Sequence, residues 1–138
     1  MKTLTLIFAL IFTITLSNAQ TNDQTINVTV NNVTNNTGKV VFSLHTEDTF
    51  MKAKSIQSEA SNIENGKVHV TFNNVESGTY AIMVLHDENE NNAMDFDLNG
   101  MPQENYGMSN NPVSYGPPQF VDAKFEVAEK DLDLVIRF

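Results

Sequence analysis

From Ile26 onward, apolar side chains recur at every second position. Ile26, Val28 and Val30 alternate with Asn27 and Thr29, Val40, Phe42 and Leu44 with Val41 and Ser43, and Val68, Val70 and Phe72 with His69 and Thr71. A period of two places one set of side chains on one face of an extended strand, so each run predicts a half-buried strand of an antiparallel sheet. The run Thr79 to His86 is apolar on both faces, with Tyr80, Ile82 and Val84 on one and Ala81, Met83 and Leu85 on the other, which predicts a central strand covered on both sides. Two more strands are expected, around Ala123, Phe125 and Val127 and around Leu132, Leu134, Ile136 and Phe138, with Ser55 to Ser61 a weaker, edge-like candidate. Turn residues separate the runs: Asn35 to Gly38, Asn65-Gly66, Ser77-Gly78, and Glu129-Lys130-Asp131 between the last two strands. No segment shows a helical stripe. The pattern predicts an all-β domain, an antiparallel β-sandwich of about seven strands, immunoglobulin-like or prealbumin-like, with a small closed barrel as the alternative.

The first residues follow a different rule. Lys2 supplies a positive charge, Leu4 to Leu16 is an apolar run of 13 residues, and Ser17-Asn18-Ala19 places small residues where a signal peptidase cuts. A membrane span needs about 20 apolar residues, so residues 1–19 are expected to be a cleaved export signal. Gln20 to Gln24 is then a polar, disordered lead-in and residues 25–138 form one domain. The expected location is secreted or periplasmic, with no membrane insertion after cleavage.

Removing the signal leaves seven basic against 17 acidic side chains, a formal charge of −10. Such a surface repels phosphate backbones and anionic lipid and argues against nucleic-acid partners, whereas it attracts cations. The absence of cysteine removes disulfides, thiolate metal sites and cysteine nucleophiles. A domain of this size without disulfides depends on its core, on oligomerisation or on a bound ion.

The segment Asp87 to Gln119 is the exception to the period of two. It spans 33 residues with Asp87, Glu88, Glu90, Asp95, Asp97 and Glu104 and no lysine or arginine. Loops of this length in compact domains are usually functional or disordered, and carboxylates gathered at a domain edge repel one another unless a cation compensates them. Counting from Asp87, oxygen-bearing side chains fall at positions 1, 3, 5, 9 and 11: Asp87, Asn89, Asn91, Asp95 and Asp97. Alternate positions on a tight curl gather hard oxygen donors around one ion, as in an EF-hand loop, with the Ala93 carbonyl at position 7. Asn92 occupies the position that ordinarily needs glycine, and asparagine tolerates positive φ better than most residues. Leu98 stands where an EF-hand has its bidentate glutamate, which excludes a full EF-hand and leaves Asp97 or Glu104 to complete the set. Oxygen donors alone point to Ca²⁺. The competing reading is an asparagine-rich, solvated acidic turn.

Three linked motifs surround this loop: His86-Asp87-Glu88-Asn89-Glu90-Asn91-Asn92-Ala93-Met94-Asp95, then Gly100 to Asn111 (GMPQENYGMSNN), then Gly116 to Ala123 (GPPQFVDA), preceded by Gly78-Thr79-Tyr80-Ala81-Ile82. Together they resemble domain-of-unknown-function family 2141, whose pattern runs HDxNxNGxxD, GxPxExYGFSNN, GPPxFxDA. Asn92 replaces the family glycine and Met108 its aromatic residue. The resemblance implies an exported bacterial β-sandwich protein and carries no activity, and it strengthens the ion-site reading because the acidic positions belong to a wider motif.

His86, Tyr106, Tyr115 and Phe120 are candidates for a ligand platform; the plainer reading is a packed strand-end histidine and an aromatic cluster seating the long loop. Ser109 and Ser114 lack a nucleophile elbow. Two function classes follow. One is a non-catalytic binding or structural module, its loop stiffened by Ca²⁺ to meet a glycan, a peptide or another exported protein. The other is a metal-assisted hydrolase using His86 with Asp87 or Glu104.

Overall fold

The computed structural model describes residues 23–113 and 115–138. The expected export signal lies outside them, as do Gln20, Thr21, Asn22 and Ser114. The chain forms β1 (Gln24–Val30), β2 (Lys39–His45), β3 (Gln57–Asn62), β4 (Val68–Val75), β5 (Gly78–Asp87), β6 (Tyr106–Met108), the single helical turn α1 (Phe120–Ala123), β7 (Phe125–Val127) and β8 (Leu132–Ile136). Strand β1 opens at Gln24, which is buried and paired with Val75, so the polar lead-in ends one residue earlier than its composition suggests.

Two sheets face each other, one ordered β4-β1-β8, the other β3-β2-β5-β6, with β7 also paired to β5. The period of two is realised in the core between them. Ile26, Val28, Val30, Val40, Phe42, Leu44, Phe72 and Ile82 have no exposed surface, and Val68, Val70, Val84 and Ile136 join them. The opposite face of β5 is covered by a smaller cluster of Phe50, Ala81, Met108 and Ala123, with Met83, Tyr106 and Phe120 against it. This is why β5 is apolar on both sides.

Most pairings are antiparallel, but β1 and β8 run parallel, Ile26 opposite Leu132 through Val30 opposite Ile136. The sandwich is therefore mixed rather than wholly antiparallel. The Glu129-Lys130-Asp131 segment does not join neighbours, since β7 pairs with β5 and β8 with β1. At Asn65-Gly66 both residues have positive φ (53° and 72°) and Glu64 and Lys67 exchange backbone hydrogen bonds. The turn forms as expected, yet β3 and β4 then part into different sheets. The long acidic segment is also more ordered than expected. It contains β6 and leads directly into α1, whose three and four residues are too short to show either periodicity.

Candidate metal centre at the end of strand β5

Alternation along β5 turns its last two residues to opposite faces. His86 continues the core side of Tyr80, Ile82 and Val84, and Asp87 continues the side of Ala81, Met83 and Leu85. Both are fully buried. The His86 ring lies against Phe138 with centroids 6.1 Å apart, and its Nε2 is 2.8 Å from the Thr37 carbonyl, the tautomer that donates there being the one that satisfies both groups. Its Nδ1 has no hydrogen-bond partner among the described residues, and Glu88 Oε1 is 3.7 Å away. His86 is thus a packed strand-end histidine.

Asp87 fixes the start of the loop. Its Oδ1 accepts the N–H of Asn91 at 3.0 Å and its Oδ2 that of Asn92 at 2.8 Å. Folding five residues back onto one carboxylate requires sharp turns, supplied by Glu90 and Asn92 at φ 59° and 62°. Asn92 thus takes the left-handed conformation anticipated for it. Asn89 Oδ1 accepts the Asn91 N–H, and Asn91 Oδ1 accepts that of Ala93. These turns aim the amide groups of Asn89 and Asn91 at Asp95, 2.6 Å from its Oδ2 and 3.1 Å from its Oδ1 respectively. Glu104, also buried, closes the base, its Oε1 accepting the Glu88 N–H and its Oε2 the Asp95 N–H.

Six of the seven residues selected from the sequence therefore belong to one hydrogen-bonded unit: Asp87, Asn89, Asn91, Ala93, Asp95 and Glu104. Ala93, expected to offer its carbonyl, is tied in through its N–H. Asp97 does not join them. Its Oδ1 accepts the N–H groups of Asn99 and Met101 at 2.8 and 2.9 Å, and those bonds, Met101 first, hold its carboxyl below the usual aspartate range. Asp97 shapes its own turn, a local role that acidic spacing cannot distinguish from ligation. Among the described residues no three carboxylate or histidine side chains are grouped so as to hold a metal by themselves, so any such site also needs neutral oxygens, from the carboxamides of Asn89 and Asn91, backbone carbonyls or water.

The four aromatic and histidine candidates do not converge. Tyr106 and Phe120 pack on the smaller cluster, Phe120 with its ring centroid 5.8 Å from that of Phe50. Tyr115 is fully exposed and His86 fully buried. Ser109 is structural: its Oγ accepts the Ile82 N–H at 3.0 Å and donates to the Ala123 carbonyl at 2.5 Å, joining β5 to α1. Gly38, which closes the Asn35 to Gly38 turn, has a second role. At φ +67° it passes so close to β5 that a Cβ would lie 2.1 Å from the Asp87 carbonyl oxygen. The glycine within a turn cluster was visible, but the close approach it permits was not.

Neither the curated proteins nor the solved structures include a match to this chain. Residues 28–134, which run from within β1 to within β8 and include the whole acidic loop, match the profile of domain-of-unknown-function family 2141, uncharacterized proteins conserved in bacteria, and the chain belongs to that family.

Proposed function

We propose that this protein is an exported, non-catalytic binding or structural module whose 87–104 loop is stiffened by Ca²⁺. The observation that carries the reading is a group of carboxylates with no cationic side chain beside it. Asp87, Asp95 and Glu104 share one hydrogen-bonded unit, two of them buried, and among the described residues none has a lysine or arginine partner. A hard divalent cation offsets such a group of carboxylates, and Asn89 Oδ1 and Asn91 Oδ1, each accepting one backbone N–H, keep a second lone pair to offer it. The burial of His86, which leaves it no surface to present to a substrate, weighs against the hydrolase reading.

The test is thermal unfolding with millimolar Ca²⁺ and with EDTA. Extracellular sites work at dissociation constants of about 10⁻⁴ to 10⁻³ M, and at 100 times that constant an ion adds about 2.7 kcal/mol to the folded state, a rise of roughly 10 °C for a domain of this size. Asp95→Ala abolishes the rise. Identical melting in Ca²⁺ and EDTA, with no heat of binding by calorimetry, refutes the proposal.

A further inference from the structure

The outermost part of the acidic loop is a small hairpin. Phe96 bridges Pro102, Asp97 N–H donates to the Met101 carbonyl, Gln103 N–H to the Asp95 carbonyl and Gly100 N–H to the Asp97 carbonyl. Gly100, at φ +79°, makes the reversal. This order does not bury what the hairpin carries. Phe96 is 59% exposed, Met101 63% and Leu98, at the apex, 105%. Three large apolar side chains held out on a pre-organised turn gain nothing from their own fold and lose little freedom on contact, the character of an interaction tip.

Its surroundings restrict what it meets. Asp95 and Asp97 flank the apolar side chains, and no basic residue occurs from 87 to 119. Carboxylates at that depth oppose insertion into lipid, and one aromatic ring among aliphatic neighbours is a poor sugar platform. The complement is an apolar pocket with a positive edge. This chain carries a groove of about 360 Å³ that mixes apolar with polar wall, Tyr106, Met108, Pro112, Val113 and Phe138 beside Asn111 and Arg137, with no acidic side chain among them. Arg137 is the only arginine of the sequence and has no ion pair among the described residues. The loop returns to the sheet at Tyr106, the first wall of the groove, so tip and groove belong to one end of the molecule.

We infer that the tip of one copy docks in the groove of a second, Leu98 and Phe96 entering between Tyr106 and Phe138 while the acidic flank faces Arg137. With both features at one end, two copies can exchange tips about a two-fold axis. The inference rests on the reading of the chain as a binding module and names its partner; it does not depend on the ion.

Sedimentation velocity from about 10 μM to 1 mM, a range suited to a small interface, tests it with Ca²⁺ and with EDTA. Wild type associates with rising concentration. Leu98→Asp and Arg137→Glu, both at exposed positions that leave the core untouched, each weaken association about tenfold or more. Their equimolar mixture recovers part of it, because an intact tip then meets an intact groove. A wild type that is monomeric throughout, or a mixture no stronger than either variant, overturns the inference, as does binding to phosphatidylethanolamine–phosphatidylglycerol vesicles that Leu98→Asp abolishes, which would assign the tip to a bilayer. Monomers whose melting still responds to Ca²⁺ refute the partner alone, and association without a Ca²⁺ response refutes the ion alone.

Discussion

Replacing Gly38 by alanine isolates the close approach of β2 to the end of β5. Its φ of +67° lies in the left-handed region, which costs a residue with a Cβ about 1 to 2 kcal/mol. The added carbon would stand 2.1 Å from the Asp87 carbonyl oxygen, 2.7 Å from Glu88 Cα and 2.8 Å from Glu88 C. All three are backbone atoms, which no rotamer change can withdraw, so a strand must move, at a further cost of about 1 to 3 kcal/mol as for an overpacked core. Gly100→Ala is the internal control. Gly100 has φ +79°, but a Cβ added there would meet nothing within 4 Å, so it carries the conformational cost alone. Both substitutions stiffen the unfolded chain equally, and that contribution cancels in the comparison. Urea unfolding with linear extrapolation is the assay, and Gly38→Ala is expected to lose about 1 to 3 kcal/mol more than Gly100→Ala. Equal losses in the two variants would refute the contact argument.

Two further outcomes follow from buried polar groups. Ser109→Ala removes the hydroxyl that serves both the Ile82 N–H and the Ala123 carbonyl; with unmet buried groups costing about 1 to 3 kcal/mol each, the loss is roughly 2 to 6 kcal/mol by urea unfolding, and one below about 1 kcal/mol would show that neither bond matters. Burial lowers the pKa of His45 against a smaller opposing effect of Thr49, so the unfolded chain takes up the proton first as the pH falls. The associated stability is complete above the unfolded value of about 6.5 and declines below it. His45→Gln should flatten stability between about pH 7 and 5 relative to wild type, and parallel curves would exclude His45 as the source.

The elements legible in the sequence are those whose chemistry is local. Ile26, Val28 and Val30, or Val40, Phe42 and Leu44, announce a buried face within five residues, and all six have no exposed surface. Tyr80 to Leu85 announces two buried faces, and the second is covered by Phe50, Met108 and Ala123. What was not legible depends on residues distant in the chain. Nothing near Ile26 specifies that Leu132 will lie beside it in parallel, because turn chemistry fixes only sequential neighbours. In the candidate site six of the seven residues picked out by spacing share one hydrogen-bonded unit. Spacing could not tell Asp95, which faces two carboxamides, from Asp97, which serves its own turn, since that difference is made by the 97–101 hairpin bonds.

The parallel ladder between β1 and β8 sets the order in which the chain can become a protein. Asn27 and Asp133, bonded side chain to side chain at 2.9 Å, are separated by 106 positions, and β1 sits between β4 and β8 as the middle strand of its sheet. A polypeptide delivered from its N-terminus holds one edge of β1 open, with Val28 and Val30 lacking their partners Leu134 and Ile136, until β8 arrives. Such a topology has high contact order and folds slowly. Closure of this sheet is thereby deferred until β8 is made, and a chain cut short before Leu132 would emerge with an unpaired strand edge, the form in which β-proteins aggregate.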